Sequence, residues 1–92
     1  MGVKINGVAL RRLREERGMT EVELARKAGI SITTYLKIED SEAYNSQGNV
    51  LGRLSLALCR GSYRGDNGEW HGFEWDEYRG NNRILRVEEE KK

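Results

Sequence analysis

The chain has 92 residues, no proline and one cysteine, and its 16 basic residues nearly balance its 15 acidic ones. This length suits one small domain, and 37% apolar with 34% charged residues is typical of a compact helical protein with a solvated surface. No apolar run approaches the roughly 18 residues that span a bilayer, and the N-terminus lacks a signal-peptide core. We expect a cytoplasmic protein, with Cys59 as a small buried side chain rather than a nucleophile.

Charge is distributed unevenly along the chain. Residues 1–40 carry eight basic and six acidic side chains, whereas residues 69–92 carry five basic and seven acidic ones. Phosphates repel an acidic segment, so a nucleic acid is expected to meet the first part of the chain and not the last.

The first predicted helix follows Asn6, a good N-cap, and runs to about Arg17. Leu10 and Leu13 fall on its inner face, and Gly18 is placed to end it. This helix is expected to be one wall of a helical core.

Two further helices separated by a short turn are predicted next. Thr20 and Glu23 have the spacing of a capping box, which predicts that the second helix begins here. Gly29 suits the positive φ at which a chain leaves a helix, and Ser31 suits the N-cap of a third. A turn of about three residues predicts a helix-turn-helix.

The apolar residues of this pair of helices fall on facing sides. Leu24, Ala25 and Ala28 share one face of the second helix, and Ala25 is small enough for the third helix to cross closely. Tyr35 and Ile38 face them from the third helix. This arrangement leaves the outer side of the third helix to Ile32, Thr33 and Lys37.

A fourth helix is predicted over residues 50–59, after a polar and turn-rich stretch. Leu51, Leu54 and Leu58 lie on one face, although Gly48 and Gly52 leave the start of this helix poorly defined. The four helices form a mainly α domain over residues 1–59.

Residues 60–92 are predicted to be a glycine-rich linker and a β-hairpin extension. Residues 69–75 (EWHGFEW) and 83–89 (RILRVEE) read as its two strands, and residues 88–92 as a frayed acidic end. A lone hairpin is marginally stable, so it either packs on the helices or pairs with a second copy.

Residues 7–58 resemble the phage-repressor and Cro type of helix-turn-helix domain, also called XRE. The resemblance rests on four blocks in the family's order and spacing: ALRRLREERGMT, ELARKAGIS, KIE and LGRLSLAL. Two positions depart from the family's pattern: Glu21 stands where Gln is common, and Ile32 stands where a polar or basic residue is common.

The resemblance implies sequence-specific binding of double-stranded DNA as a transcriptional regulator, of phage or bacterial origin. It also implies a partly buried pair between Arg14 and Glu39, whereas the residues alone allow two unrelated surface charges. Helix three would enter the major groove, and the loop before helix four would meet phosphates. The candidate DNA-binding residues are Thr20, Glu21, Ser31, Ile32, Thr33, Thr34, Lys37, Tyr44, Asn45 and Ser46.

A homodimer on a palindromic operator is expected, because one small domain contacts too few base pairs for high specificity. The alternative is a protein-binding helix-turn-helix module, such as a phage modulator or an antitoxin, that uses the aromatic hairpin. Glu21, Asp40 and Glu42 favour it, since carboxylates repel phosphates. The candidate residues of a dimer or partner interface are Trp70, Phe73, Trp75, Ile84, Leu85 and Val87.

No catalytic constellation can be singled out. His71 is the only histidine, no Cys/His cluster has metal spacing, and the glycines do not form a phosphate-binding loop. We expect neither an enzyme nor a metal or other cofactor.

Overall fold

The computed structural model describes residues 2–87. Helices predominate in this range, and two pairs of short antiparallel strands accompany them. No helix in it is long and apolar enough to cross a membrane. The elements are β1 (Gly2–Ile5), α1 (Gly7–Glu16), α2 (Glu21–Ala28), α3 (Ile32–Glu39), β2 (Tyr44–Gln47), α4 (Gly48–Ala57), β3 (Tyr63–Arg64), β4 (Trp70–His71) and α5 (Trp75–Leu85).

The starts of the first three helices are confirmed. The side chains of Asn6 and Ser31 accept hydrogen bonds from backbone N–H groups at the starts of α1 and α3. Thr20 and Glu23 form a reciprocal capping box at α2, and Gly29 ends that helix at φ 75°. Helix α4 begins two residues earlier than predicted, since residue 48 follows β2 directly.

One apolar core joins the helices. Gly7 is buried where α1 approaches the end of α3, because a Cβ there would collide with the backbone carbonyl of Ile38. The same glycine donates its N–H to the carbonyl of Ser41 at 2.8 Å. Leu10, Leu24, Ala28, Tyr35, Ile38, Leu51, Leu54 and Leu85 are among the core side chains.

The predicted pair of Arg14 and Glu39 is confirmed, and two further side chains, Tyr35 and the more exposed Arg11, donate to the same carboxylate. Arg14 Nε donates to Glu39 Oε2 at 2.7 Å, and the Tyr35 hydroxyl donates to the same oxygen at 2.5 Å. Arg14 Nη1 also donates to the carbonyl of Met19, just before α2. The Glu39 side chain is only 2% exposed. Burial raises the pKa of Glu39, but the bonds from Arg14 and Tyr35 favour the ionised form more strongly and hold that pKa below its ordinary value.

Strands β1 and β2 were not predicted, and β1 joins both ends of the described range, residues 2–5 and 85–87. Strand β1 pairs antiparallel with β2, the segment expected to be a loop, with Lys4 opposite Asn45. On the other side of β1, Val87 donates its N–H to the carbonyl of Lys4 at 2.9 Å. Polar residues 44–47 gave no strand pattern, because their partner lies about forty residues earlier in the chain.

The C-terminal segment contains a hairpin, as the predicted fold class requires. Strand β4 lies within the predicted strand at residues 69–75, whereas its partner is β3 in the predicted linker and not residues 83–89. Strands β3 and β4 pair through the turn at residues 65–69. The predicted strand at residues 83–89 is wrong as far as residue 85, because α5 covers it; its last two residues and the predicted frayed end lie outside the described range. Alternation in RILRV was compatible with a strand, yet acidic residues in the first turn and Arg83 in the last favour a helix.

Helix α5 packs against α4 through a buried polar contact. Asn81 Nδ2 donates to the carbonyl of Ser55 at 3.0 Å, and Leu85 is fully buried in the core. Cys59 lies beside this contact, where burial raises the pKa of its thiol to about 11, in agreement with the expected inert, buried role. The extension is therefore part of one packed unit with the helix-turn-helix.

We expect Arg14→Met to destabilise the domain by about 3–5 kcal/mol, because the buried Glu39 carboxylate would lose its nearest cationic partner and keep only the largely exposed Arg11, at 3.3 Å. The triple change Arg14→Met, Tyr35→Phe, Glu39→Leu should recover most of this loss, since the buried carboxylate is then removed together with the hydroxyl that bonds it. Urea unfolding measures both. Arg12→Met, on the exposed side of the same helix, is the control and should change stability by less than about 0.5 kcal/mol. A melt of Arg14→Met that matches the parent would contradict the structural role.

Candidate nucleic-acid interface

The frame of the site is the α2–turn–α3 unit. The α2 residues Leu24, Ala25 and Ala28 are buried, as predicted, and Ala25 is 2% exposed. The chain turns at Gly29, and Ile30 donates its N–H back to the carbonyl of Ala25 at 3.0 Å. Short residues and a left-handed cap thus hold the two helices close, which leaves one side of α3 outside the core.

Four residues form the exposed side of α3, which we call the α3 outer face: Ile32, Thr33, Leu36 and Lys37. Thr33 and Lys37 lie one helical turn apart, so a single partner can contact both. Leu36 is 44% exposed although it is apolar, and Ile32 is 38% exposed. Sequence reasoning missed Leu36, because a leucine at this spacing is more often buried. The α3 outer face is therefore half apolar and half polar.

Three of the candidate hydroxyl groups hold helix ends. Ser31 Oγ accepts from the N–H of Thr34 and donates to Thr34 Oγ1 at 3.0 Å. Thr20 Oγ1 accepts from the N–H of Glu23. These side chains still have spare lone pairs, but their geometry is set by the caps. Among the candidate hydroxyls on α3, Thr33 is the exposed one.

In the segment before α4, strand pairing leaves some of the candidate DNA-binding residues exposed and others partly buried. Tyr44 and Ser46 are partly buried, whereas Asn45 is exposed. The residue opposite Asn45 is Lys4, which brings a cationic side chain from β1 to this edge. Sequence reasoning missed Lys4 because only the register of β1 and β2 places it there.

Carboxylates lie close to the α3 outer face. Glu21 and Glu39 line one surface groove together with Arg11, Lys37 and Asp40. The pKa of Glu21 is raised, first by hydrogen bonding with the Glu39 carboxyl and then by burial and by the charge of Glu39. Glu21 is therefore a carboxyl that takes up a proton more readily than an ordinary glutamate.

The candidate interface residues of the C-terminal segment fall into different environments. Trp70 packs partly buried against the core, Leu85 lies inside it, and Val87 is bonded to β1. Trp75 and Ile84 are 60% and 52% exposed on α5. Phe73 contacts Trp75 edge to face at 5.0 Å. Only some of these residues are thus open to a partner. In residues 2–87, no group of three His, Cys, Asp or Glu residues is arranged to hold a metal.

Comparison with known families agrees with this geometry. A family model described as a helix-turn-helix domain matches residues 7–60, more than half of the chain. The chain therefore belongs to the helix-turn-helix domain family, the general kind to which XRE and Cro-like domains belong. Such a domain indicates a DNA-binding regulator, and domains of this kind are typically not enzymes. Neither the curated proteins nor the solved structures contain a match.

We expect DNA affinity to rise as the pH is lowered toward the titration range of glutamate, because the raised pKa of Glu21 lets this carboxyl take up a proton at a higher pH than an ordinary glutamate does. The lowered pKa of Glu39 keeps that carboxylate charged, so the stability it contributes is lost only at lower pH. Glu21→Gln should tighten binding at neutral pH about five-fold, from about 1 kcal/mol of removed repulsion at about 4 Å. Fluorescence anisotropy at constant ionic strength measures this.

Glu23→Gln is the matched control, since it removes a charge from the same helix and keeps a residue that suits the capping box. It should leave the pH dependence in place, whereas Glu21→Gln should flatten it. Equal pH dependence in Glu21→Gln and the parent would show that another group is responsible.

Proposed function

We propose that this protein binds double-stranded DNA sequence-specifically and regulates transcription, in the manner of the phage repressors and Cro. The observation that carries the proposal is the α3 outer face, which stands exposed on a helix whose opposite side is locked to α2. In helix-turn-helix proteins, a second helix presented in this way lies in the major groove. Repression by occlusion and activation by recruitment both require only such occupancy.

The residues of this face suit base edges. The Thr33 hydroxyl can hydrogen-bond a base, and Lys37, one turn on, can reach guanine acceptors or a phosphate. Ile32 and Leu36 offer apolar surface of the kind that contacts thymine methyl groups. Read in this way, the unusual apolar residues favour a site that contains A·T pairs.

Phosphate contacts are proposed at the two edges of α3. The start of α2 presents backbone N–H groups, and the β1–β2 pair presents Lys4 beside Asn45. Contacts to phosphates fix register and orientation, whereas contacts to base edges supply specificity. These two edges would therefore hold α3 in place along the groove.

We expect Thr33→Ala and Lys37→Ala each to weaken binding to the selected operator by about 1–3 kcal/mol if the side chain contacts a base. Lys4→Gln should weaken specific and nonspecific binding alike and reduce the salt slope by about 1, because phosphates carry no sequence information. Lys27→Gln, at the far end of α2, is the control. Operator selection from a random pool followed by titration measures these effects, and unchanged affinity in both α3 variants would refute the assignment.

We further propose that two copies bind a palindromic operator, with half-sites about 34 Å apart. Pairing through the predicted strand at residues 83–89 has lost its basis, because α5 occupies residues 75–85 and Val87 already bonds to β1. Ile84 is an exposed apolar side chain of α5. At 100° per residue, it lies about 140° around the helix from Arg79 and so on a different side from the arginines. A two-fold seam centred on Ile84 would leave α3 free.

We expect Ile84→Glu to abolish dimerisation and cooperative binding to a two-half-site operator, while binding to a single half-site persists. Like charges brought together at a two-fold axis oppose association. Val8→Glu, at a similarly exposed apolar position on α1, is the control. Sedimentation of the full chain measures the dimer; a parent that stays monomeric at tens of micromolar (roughly the level that fills a weak interface) would contradict the proposal.

The second candidate function is a protein-binding helix-turn-helix module. The observation favouring it is the exposed apolar side chains Val22, Ile32 and Leu36, of which Leu36 lines the same groove as the acidic Glu21. Exposed apolar patches mark protein contacts, and carboxylates weaken phosphate binding. A steep salt dependence of DNA binding supports the regulator, whereas absence of DNA binding even at low salt supports the protein-binding module.

A further inference from the structure

The outer side of α5 carries a groove that is separate from the α3 outer face. It has a volume of 380 Å³ and includes no residue of α2 or α3 in its lining. Among residues 2–87, three arginines line it and no carboxylate does. Its lining residues, called here the arginine groove, are Tyr78, Arg79, Asn82, Arg83 and Arg86.

The acidic side chains of α5 do not neutralise the groove. Glu77 turns toward the core side, where it accepts from the N–H of Arg60 at 3.1 Å and lies 3.5 Å from Arg17. Asp76 contacts Arg79 at 3.2 Å, but both side chains are largely exposed, and such a surface pair is weak. Positive charge is therefore concentrated on one side of α5, although the helix has equal numbers of acidic and basic residues.

Aromatic and amide side chains hold two of the arginines. The guanidinium carbon of Arg79 lies 5.8 Å from the centre of the Trp75 ring. Trp75 is fixed in turn by an edge-to-face contact with Tyr78 at 5.7 Å. Arg86 donates to Asn82 Oδ1 at 3.4 Å. A guanidinium held in this way loses less conformational freedom when it binds an anion.

The spacing of the arginines fits a polyanion. Arg79 and Arg86 are seven residues apart, about 10.5 Å along the helix at 1.5 Å per residue. A DNA strand carries one phosphate per about 3.4 Å of duplex axis, so this length spans about three phosphates. Guanidinium groups form paired hydrogen bonds to phosphate oxygens. We propose that the arginine groove binds the phosphate backbone of duplex DNA as a second, sequence-independent site.

Other occupants fit the groove less well. A second copy placed symmetrically across it would bring arginines against arginines. Single-stranded nucleic acid requires open aromatic faces for stacking, and Arg79 lies over Trp75. A third possible occupant is an acidic peptide, including the chain's own residues 88–90, which follow Val87 directly in the sequence. Such a peptide offers carboxylates but no phosphate. Each of these is an outcome of the test below.

The test separates this site from α3. In a chain carrying Thr33→Ala and Lys37→Ala, the triple change Arg79→Gln, Arg83→Gln, Arg86→Gln should lower affinity for a short duplex of arbitrary sequence about ten-fold or more at low salt. The salt slope should fall by about 2–3, from about 0.9 per phosphate contact. The charge-matched control is Arg12→Gln, Arg26→Gln, Arg60→Gln, three exposed positions outside the groove, and should change the slope much less. Anisotropy measures binding, and circular dichroism confirms that each variant is folded.

A second readout reports position. In the full chain, the indole N–H signal of Trp75 in an NMR spectrum should shift when the duplex is added, also in the Thr33→Ala, Lys37→Ala background. This shift does not depend on base recognition by α3, so failure of operator binding and failure of the groove are distinguishable. Equal losses in the groove variant and in the control would overturn the proposal.

Three further results would also overturn it. The first is a Trp75 shift with polyglutamate but not with the duplex, which would assign the groove to acidic protein. The second is tighter binding of a single strand than of the duplex. The third is sensitivity to the arginine substitutions only after Glu88→Gln, Glu89→Gln and Glu90→Gln, which would show that the chain's own acidic residues fill the groove.

Discussion

The buried carboxylate of Glu39 is the constraint on which the arrangement of the first three helices depends. A charge this deep is costly unless several donors surround it, and here Arg14 comes from α1 and Tyr35 from α3 itself. Arg14 also binds the carbonyl of Met19, which ties the start of α2 to the same centre. Apolar packing alone would tolerate a range of helix angles, whereas this network accepts few. The orientation of α3, and with it the side that the helix exposes, is therefore fixed by a polar contact on its buried side.

Both ends of the described range, residues 2–5 and 85–87, take part in the same unit. β1 lies between β2 and residues 85–87, and Asn81 secures α5 to α4 by bonding the carbonyl of Ser55. This closure has a consequence for binding surfaces. Lys4 is brought beside Asn45, and the arginines of α5 stand on a helix with a buried inner side. Both are cationic groups on rigid elements, although they come from segments that look peripheral in the sequence.

The surface has separate regions of different charge, which the net charge of +1 does not indicate. Around the α3 outer face, Glu21 and Asp40 offset Lys37 and Arg11. On α5, by contrast, Glu77 turns away from the arginine groove, and Asp76 forms only an exposed pair with Arg79. Long-range attraction of DNA to the whole chain is thus weak, and affinity would depend on local groups that are already oriented. Glu21, whose pKa is raised at the start of α2, would make such binding responsive to pH.

Local signals in the sequence determined the helix-turn-helix. The capping box at Thr20, the left-handed Gly29, the N-cap Ser31 and the inward residues of α2 and α3 each depend on neighbours within a few positions, and all of them are found in the structure. The buried Arg14–Glu39 pair was accessible only through family resemblance, because its partners are 25 residues apart.

The strands and α5 were decided by tertiary structure. Strand β2 forms because β1, far away in the chain, supplies its hydrogen-bond partners. Residues 75–85 contain Gly80 and two asparagines and alternate near their end, so their local preference for a helix is weak. Burial of Leu85 and the bond from Asn81 to Ser55 outweigh that weakness. Such contacts join residues distant in sequence, and no local pattern can encode which distant partner will be present.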